Sequence, residues 1–252
     1  MAKQPTRSAV LLAAAMAIGL NAAQADDVKV MASAAVKEAY LDLVPGFEKT
    51  TGHKVTTIWD GTANITKRIG EGEVVDIVIV PPANLEKLVQ DGKLVPGSKT
   101  DIAKSGVGVA VRAGLPKPDI SSGEALKQAA LAAKSVAYSS GPSGLYLAEL
   151  FRKMGIADQI KDKVKQTPSG VQVGEVVARG EADLGFQQVS ELLHVKGIDY
   201  VGPLPPDVQH ITVFSAALHK GTTAPDAAKA LVKFLTAPEA AAIIRRTGME
   251  PG

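Results

Sequence analysis

The chain has 252 residues, with 28 Lys and Arg against 26 Asp and Glu, a near balance that offers no basic surface for nucleic acid or an anionic membrane. It contains no cysteine, which excludes disulfides, thiolate nucleophiles, sulfur-ligated metals and a lipid anchor on cysteine. Its first 25 residues, MAKQPTRSAVLLAAAMAIGLNAAQA, read as a secretory signal peptide. Lys3 and Arg7 form the basic region, Ala9 to Leu20 the apolar region, and Ala23-Gln24-Ala25 the small-x-small cleavage site. The apolar run falls well short of the roughly 20 residues that span a bilayer. Cleavage after Ala25 is therefore expected. It leaves 227 of the 252 residues, with 26 charges of each sign, because the first 25 carry Lys3 and Arg7 and no acidic residue.

From Asp26 onward, short β-like runs alternate with longer helical patterns, the sequence mark of an α/β fold with a mixed, mostly parallel sheet. Val28 to Ala32 is the first expected strand, followed by a helix from about Val36 to Lys49 and a second strand over Lys54 to Trp59. Ile65 and Ile69, spaced i,i+4, place a short helix over Gly61 to Gly70. Val74 to Val80 is a continuous apolar run suited to a strand buried on both faces, and Pro81-Pro82 ends it. A helix over Asn84 to Gln90 leads to a strand at Gly106 to Val111, and the Gly/Pro-rich stretch Arg112 to Pro116 is a candidate crossover. Ser135 to Tyr138 restarts the pattern, and Leu147, Leu150, Phe151 and Met154 form a helical stripe. A helix carrying Val173, Val176 and Val177, strands at Asp183 to Gln187 and Ile211 to Leu218, and two helices opened by Pro225 and Pro238 complete the chain.

Four loops rich in small polar residues stand where strands hand over to helices: Met31 to Ala35, Asp60 to Asn64, Ser140 to Gly144, and Pro168 to Gly170. Hydroxyls and unpaired helix N-terminal amides in such places bind anions by donation, although each loop taken alone also reads as an ordinary helix cap. His53, His194, His210 and His219 show no HxH, HExxH or HxxE grouping, so no metal site and no cofactor are expected. The GPSGL around Ser143 fails as a nucleophile elbow because Leu145 stands where the final glycine belongs. Asp60, Glu175, Tyr146 and His210 are acid/base candidates, each with an ordinary reading as a cap, a solvated residue, a packed aromatic or a loop histidine.

Taken together, the segments VKVMASAAVKEAY, FEKTTGHKV, DGTANITKRIGEGEVVDIVIV, NLEKLVQDGKLVPGS, GPSGLYLAELFRKMGI, VVARGEADLGF and LVKFLTAPEAAAIIRRTGMEP resemble, in order and spacing, the periplasmic type II solute-binding proteins, in the branch that contains molybdate receptors. The resemblance implies two α/β lobes joined by crossover strands, with a small anion held between them as the lobes close. Lobe 1 is expected over 26–105 plus about 211–252, and lobe 2 over 106–210. It also implies a periplasmic monomer that delivers its ligand to an inner-membrane ABC permease. The family's hydroxyl positions fall on Ala35, with Ser33 close by, and on Thr62; its backbone donors fall on Ser143 and near Gly170; its pocket tyrosine falls on Gln188. Ser33, Thr62, Ser143, Gly170 and Gln188 are thus the expected ligand residues, with Asn64 and Ala35 as contributors. The departures at Ala35 and Gln188 favour an organic carboxylate over molybdate. The same fold carries an enzyme that interconverts cis- and trans-aconitate by allylic proton transfer, which is the alternative the resemblance implies.

Overall fold

The computed structural model describes residues 26–252; the expected signal peptide and its cleavage site lie outside the described residues. The strands are β1 (Asp27–Ser33), β2 (Lys54–Asp60), β3 (Ile77–Val80), β4 (Thr100–Arg112), β5 (Val136–Ser139), β6 (Val164–Thr167), β7 (Leu184–Gln188), β8 (Ile198–Pro203), β9 (Ile211–Leu218) and β10 (Glu250–Pro251). The helices are α1 (Lys37–Thr51), α2 (Thr62–Gly70), α3 (Pro82–Gln90), α4 (Gly123–Ala132), α5 (Pro142–Lys153), α6 (Ala157–Ile160), α7 (Val173–Ala178), α8 (Val189–Leu192), α9 (Pro225–Leu235) and α10 (Ala240–Arg246). The fold is α/β, as the alternation predicts.

A mixed sheet runs β2-β1-β3-β9-β4-β7-β5-β6. Its outer strands are parallel, while β9 and β4 run antiparallel to their neighbours. β4 belongs to both ends of the structure. Through Gly106 it pairs with β9, and from Val107 onward it pairs with β7, with β8 against its other edge from Gly108.

Alternation along the strands explains the packing. Val30 and Ala32 of β1, with Ile77 and Ile79 of β3, join a core with Phe47 of α1 and Leu231 of α9. Met31, Val78 and Val80 point the other way, onto Ile65 and Ile69 of α2 and Leu85 and Leu88 of α3. Both faces of these strands are covered, hence the unbroken apolar runs. In the second group, Val107, Val109 and Val111 of β4 meet Phe186 of β7 and Leu147, Leu150 and Phe151 of α5. Ala137 packs on the opposite face with Val173 and Val177 of α7.

Two expectations change, and one helix was not foreseen. The run from Val74 forms a strand only from Ile77; Gly72 turns with φ of 106° and Val74 is half exposed, while Val75 reaches the core before the ladder begins. Arg112 to Pro116 is no crossover: it leaves β4 in an exposed turn at Gly114, whose φ is 80°, and the passage between the two groups lies inside β4 itself. The helix α4, capped by Ser122 accepting from the Ala125 amide at 3.1 Å, was not foreseen, since its Ala-rich sequence shows little apolar periodicity.

The strap between β8 and β9 is stapled to β4 by Gln209. Its Oε1 accepts from the Val107 amide (2.9 Å) and from its own neighbour, the His210 amide (2.8 Å), while Nε2 donates to the carbonyls of Val107 (3.1 Å) and Leu204 (3.2 Å). Tyr146 of α5 stacks on His210 at 4.5 Å and donates its hydroxyl to Val208 O at 2.8 Å. These two acid/base candidates thus hold the strap in place, His210 from within it and Tyr146 from α5.

Candidate functional site

All four polar loops converge. The C-terminal ends of β1, β2, β5 and β6 open onto one cavity, containing about 430 Å³ of unfilled space with its mouth included. Ser33, Ala35, Thr62, Ser143, Gly170 and Gln188 all line it; Asn64 does not. Ser169, from the loop Pro168 to Gly170, lines it too, as do Ser139, Gln187, Glu191 and Phe214, which the sequence did not single out as ligand residues.

On the β1 side, Ser33 opens a short helical turn and its Oγ accepts from the Ala35 amide at 3.4 Å, which leaves the hydroxyl proton free to donate inward. On the β2 side, Asp60 shapes the loop: Oδ1 accepts from the Gly61 amide (2.7 Å) and Asn64 Nδ2 (2.8 Å), and Oδ2 meets Arg68 at 3.3 Å. Arg68 is in turn held by a two-pronged pair with Glu73, at 2.7 and 2.9 Å. Asp60 therefore acts as a cap and strut. Thr62, first residue of α2, is buried, and its Oγ1 finds no hydrogen-bond partner in the protein. A buried hydroxyl left unpaired costs about 1–3 kcal/mol, a penalty that a ligand in the cavity would lift.

From the other side comes the N-terminus of α5. Gly144 lets this helix start directly over β5, because a β-carbon there would lie 1.5 Å from Ser139 O. Ser143, 1% exposed, is thereby brought against the cavity with the unpaired amides of a helix N-terminus. Ser169 and Gly170 complete this wall, with Gly170 at φ of 86°. The two sides touch: the Asn64 amide reaches Ser169 Oγ at 3.5 Å and Asn64 Nδ2 reaches Ser169 O at 3.4 Å. Asn64 thus lies on the seam that shuts the cavity rather than in its lining.

Gln188 is buried against the cavity, but its amide is committed elsewhere. Oriented by its neighbours, it donates to Ser105 O (3.0 Å) and Gly106 O (3.2 Å) and accepts from Thr212 Oγ1 (2.9 Å), tying β7 to β4 and β9. The adjacent Gln187 faces the other way. Its Oε1 accepts from the amides of Val173 (2.8 Å) and Gly174 (3.3 Å), which turns Nε2 toward Glu191 Oε1 at 2.8 Å. Burial pushes the Glu191 carboxyl up to about 7, only partly offset by that hydrogen bond. Among the described residues Glu191 is the one ionisable side chain lining the cavity, and no Lys, Arg or His lines it. The site is built to receive negative charge by neutral donation, with one carboxyl poised to carry a proton. No group of three or more His, Cys, Asp or Glu suited to a metal ion occurs among the described residues.

Residues 28–250 match the family described as bacterial extracellular solute-binding protein. The chain belongs to this family. It is 39% identical over 228 residues to an aconitate isomerase of a Pseudomonas species, covering 88% of this chain and 87% of that one. It is 31% identical to the molybdate-binding protein ModA of Azotobacter vinelandii, covering 94% and 96%. The periplasmic molybdate-binding protein of Azotobacter vinelandii superposes with a TM-score of 0.75 at 22% identity, over 89% of this chain and 99% of that structure, a likeness of fold. The type II periplasmic binding-protein fold is therefore shared.

Proposed function

We propose that the protein is an exported receptor that captures a small anion, an organic polycarboxylate in preference to molybdate, and hands it to an inner-membrane ABC permease. The observation that carries this reading is the buried, unpartnered Thr62 Oγ1 in a cavity walled by Ser33, Ser143 and Gly170 from both strand groups and lined, among the described residues, by no cation. A ligand gripped from both sides stabilises the closed state by its differential contacts, and residues 26–105 with 211–252 against 106–210 are the lobes that would move. The passage at Gly106 and the strap at Gln209 are the places where rotation would be absorbed. Amides and hydroxyls adapt to planar carboxylates, and the departures at Ala35 and Gln188 remove two hydroxyls from the arrangement expected for a tetrahedral oxyanion. Export and the permease are supported by the family, whose members are extracellular solute-binding proteins. Calorimetry with molybdate, tungstate, sulfate, citrate, cis-aconitate and trans-aconitate tests the assignment. Tight binding of a tricarboxylate is expected, and selective binding of molybdate alone would overturn it.

A second reading is favoured by one specific observation, the Glu191 carboxyl in the cavity wall: the protein isomerises the carboxylate it binds, as the name of its 39% identical relative suggests.

A further inference from the structure

We infer that Glu191 is a proton-transfer group of the cleft, removing a proton from an allylic carbon of a bound carboxylated alkene and returning it to the far end of the double bond. This rests on the reading of the cavity as a carboxylate site. Three features of the site lead to it. Glu191 is the sole ionisable side chain in the lining among the described residues, so any acid/base step on a ligand there falls to it. Its geometry is fixed by a neighbour that cannot turn round: the Val173 and Gly174 amides hold Gln187 Oε1, so Gln187 can only donate to Glu191 Oε1, and the proton of the acid form sits on Oε2. Finally, the other walls supply hydroxyls of Ser33, Thr62 and Ser143 and the Gly170 backbone, groups able to donate to a carboxylate whose negative charge grows during reaction.

The balance closes without a cofactor. The Glu191 carboxylate takes a proton from a methylene that is allylic to the double bond and α to a carboxylate. The C–H electron pair becomes the new double bond to the central carbon, and the old π pair moves onto the former vinylic carbon and its carboxylate. The Glu191 acid then protonates that carbon, and the carboxylate is regenerated. A carboxyl whose burial raises it to about 7 is matched to both halves of such a cycle near neutral pH. Lys37, Glu38, Glu175, His194 and Lys196 share an adjoining surface pocket with Glu191, but the Glu191 shift itself comes from burial, partly offset by the Gln187 hydrogen bond.

The experiment is proton NMR of trans-aconitate with the full mature chain in D2O, run beside calorimetry on the same samples. Deuterium should enter the ligand and cis-aconitate should accumulate over many equivalents per protein, with kcat/KM rising to a plateau above pH 7. Glu191→Gln keeps the acceptor for Gln187, so it should fold and bind, melting no lower than the wild type, while losing roughly 10²–10⁴-fold in exchange; Glu191→Asp should recover part of the rate. Binding without exchange in the wild type, or undiminished exchange in Glu191→Gln, would overturn the inference and leave the receptor standing. Failure of every carboxylate to bind would remove both.

Discussion

Gly61 and Ser169 face each other across the mouth of the cavity at a separation that leaves no room for a side chain on the glycine. A β-carbon on Gly61 would lie 2.1 Å from Ser169 Oγ and 2.5 Å from the Gly170 amide nitrogen. The serine can swing away, but the Gly170 backbone cannot. The Gly61 backbone itself is ordinary, with φ of −76° and ψ of 150°, so alanine introduces no strain within its own loop.

Gly61→Ala should therefore leave the melting temperature of the ligand-free protein nearly unchanged and weaken ligand binding by at least about tenfold, since each ~1.4 kcal/mol lost from the closed state is a factor of ten. Small-angle scattering with saturating ligand should show a more open average shape than the wild type. Wild-type affinity would mean that the seam between Gly61 and Ser169 plays no part in closure.

Thr62→Val separates binding from stability. Removing a hydroxyl that is buried and unpaired should leave the free protein as stable as before or slightly more so, while ligand affinity falls roughly tenfold to a hundredfold, the worth of ~1.5–3 kcal/mol for a hydrogen bond to a charged group. Parallel melting curves and titrations check this. Equal losses in both would show that Thr62 serves the fold.

The raised Glu191 carboxyl gives a signed pH dependence. Between the unfolded carboxyl value of about 4.3 and the folded value of about 7, the folded protein keeps a proton that the unfolded chain has released. Its contribution to stability is therefore fully present below that window and is lost as pH rises through it. An anionic ligand favours the protonated form for the same reason, so binding near pH 7 should take up protons and weaken as pH rises. Calorimetry in buffers of different ionisation heats measures the uptake, and Glu191→Gln should abolish it.

Gln209→Ala removes two hydrogen bonds that hold the strap to β4 and two within the strap, and frees the partly buried Val107 amide. A stability loss of about 2 kcal/mol is expected from denaturant unfolding, from the typical cost of orphaned polar groups. Gly106, whose β-carbon would meet the Gln209 amide at 3.2 Å, packs against the same side chain, so closure should change with it.

Where local patterning decides conformation, the chain was legible. β9 runs from Ile211 to Leu218 as its residues predict, and Ser33, Thr62, Ser143 and Gly170 meet because each follows a parallel strand, where helix N-termini gather. Residues whose role comes from tertiary packing were not. Glu191 lies on a helix of four residues with no local pattern to mark it; its half-buried place beside Gln187 comes from tertiary packing. Gln188 and Gln187 are neighbours on a strand and so face opposite ways, and only the structure tells that the first braces the crossover while the second orients an acid.

The strand order also fixes when this molecule can fold. β9, made after both of its neighbours, inserts between β3 and β4, so Ile79 must wait for Ala216 and Ser105 for Thr212, more than a hundred residues later. Contacts that distant in sequence close slowly, and the first core cannot be completed on a partial chain. For a protein that leaves the cytoplasm, as proposed above, this delay keeps the emerging polypeptide extended enough to be threaded through a membrane before its centre locks.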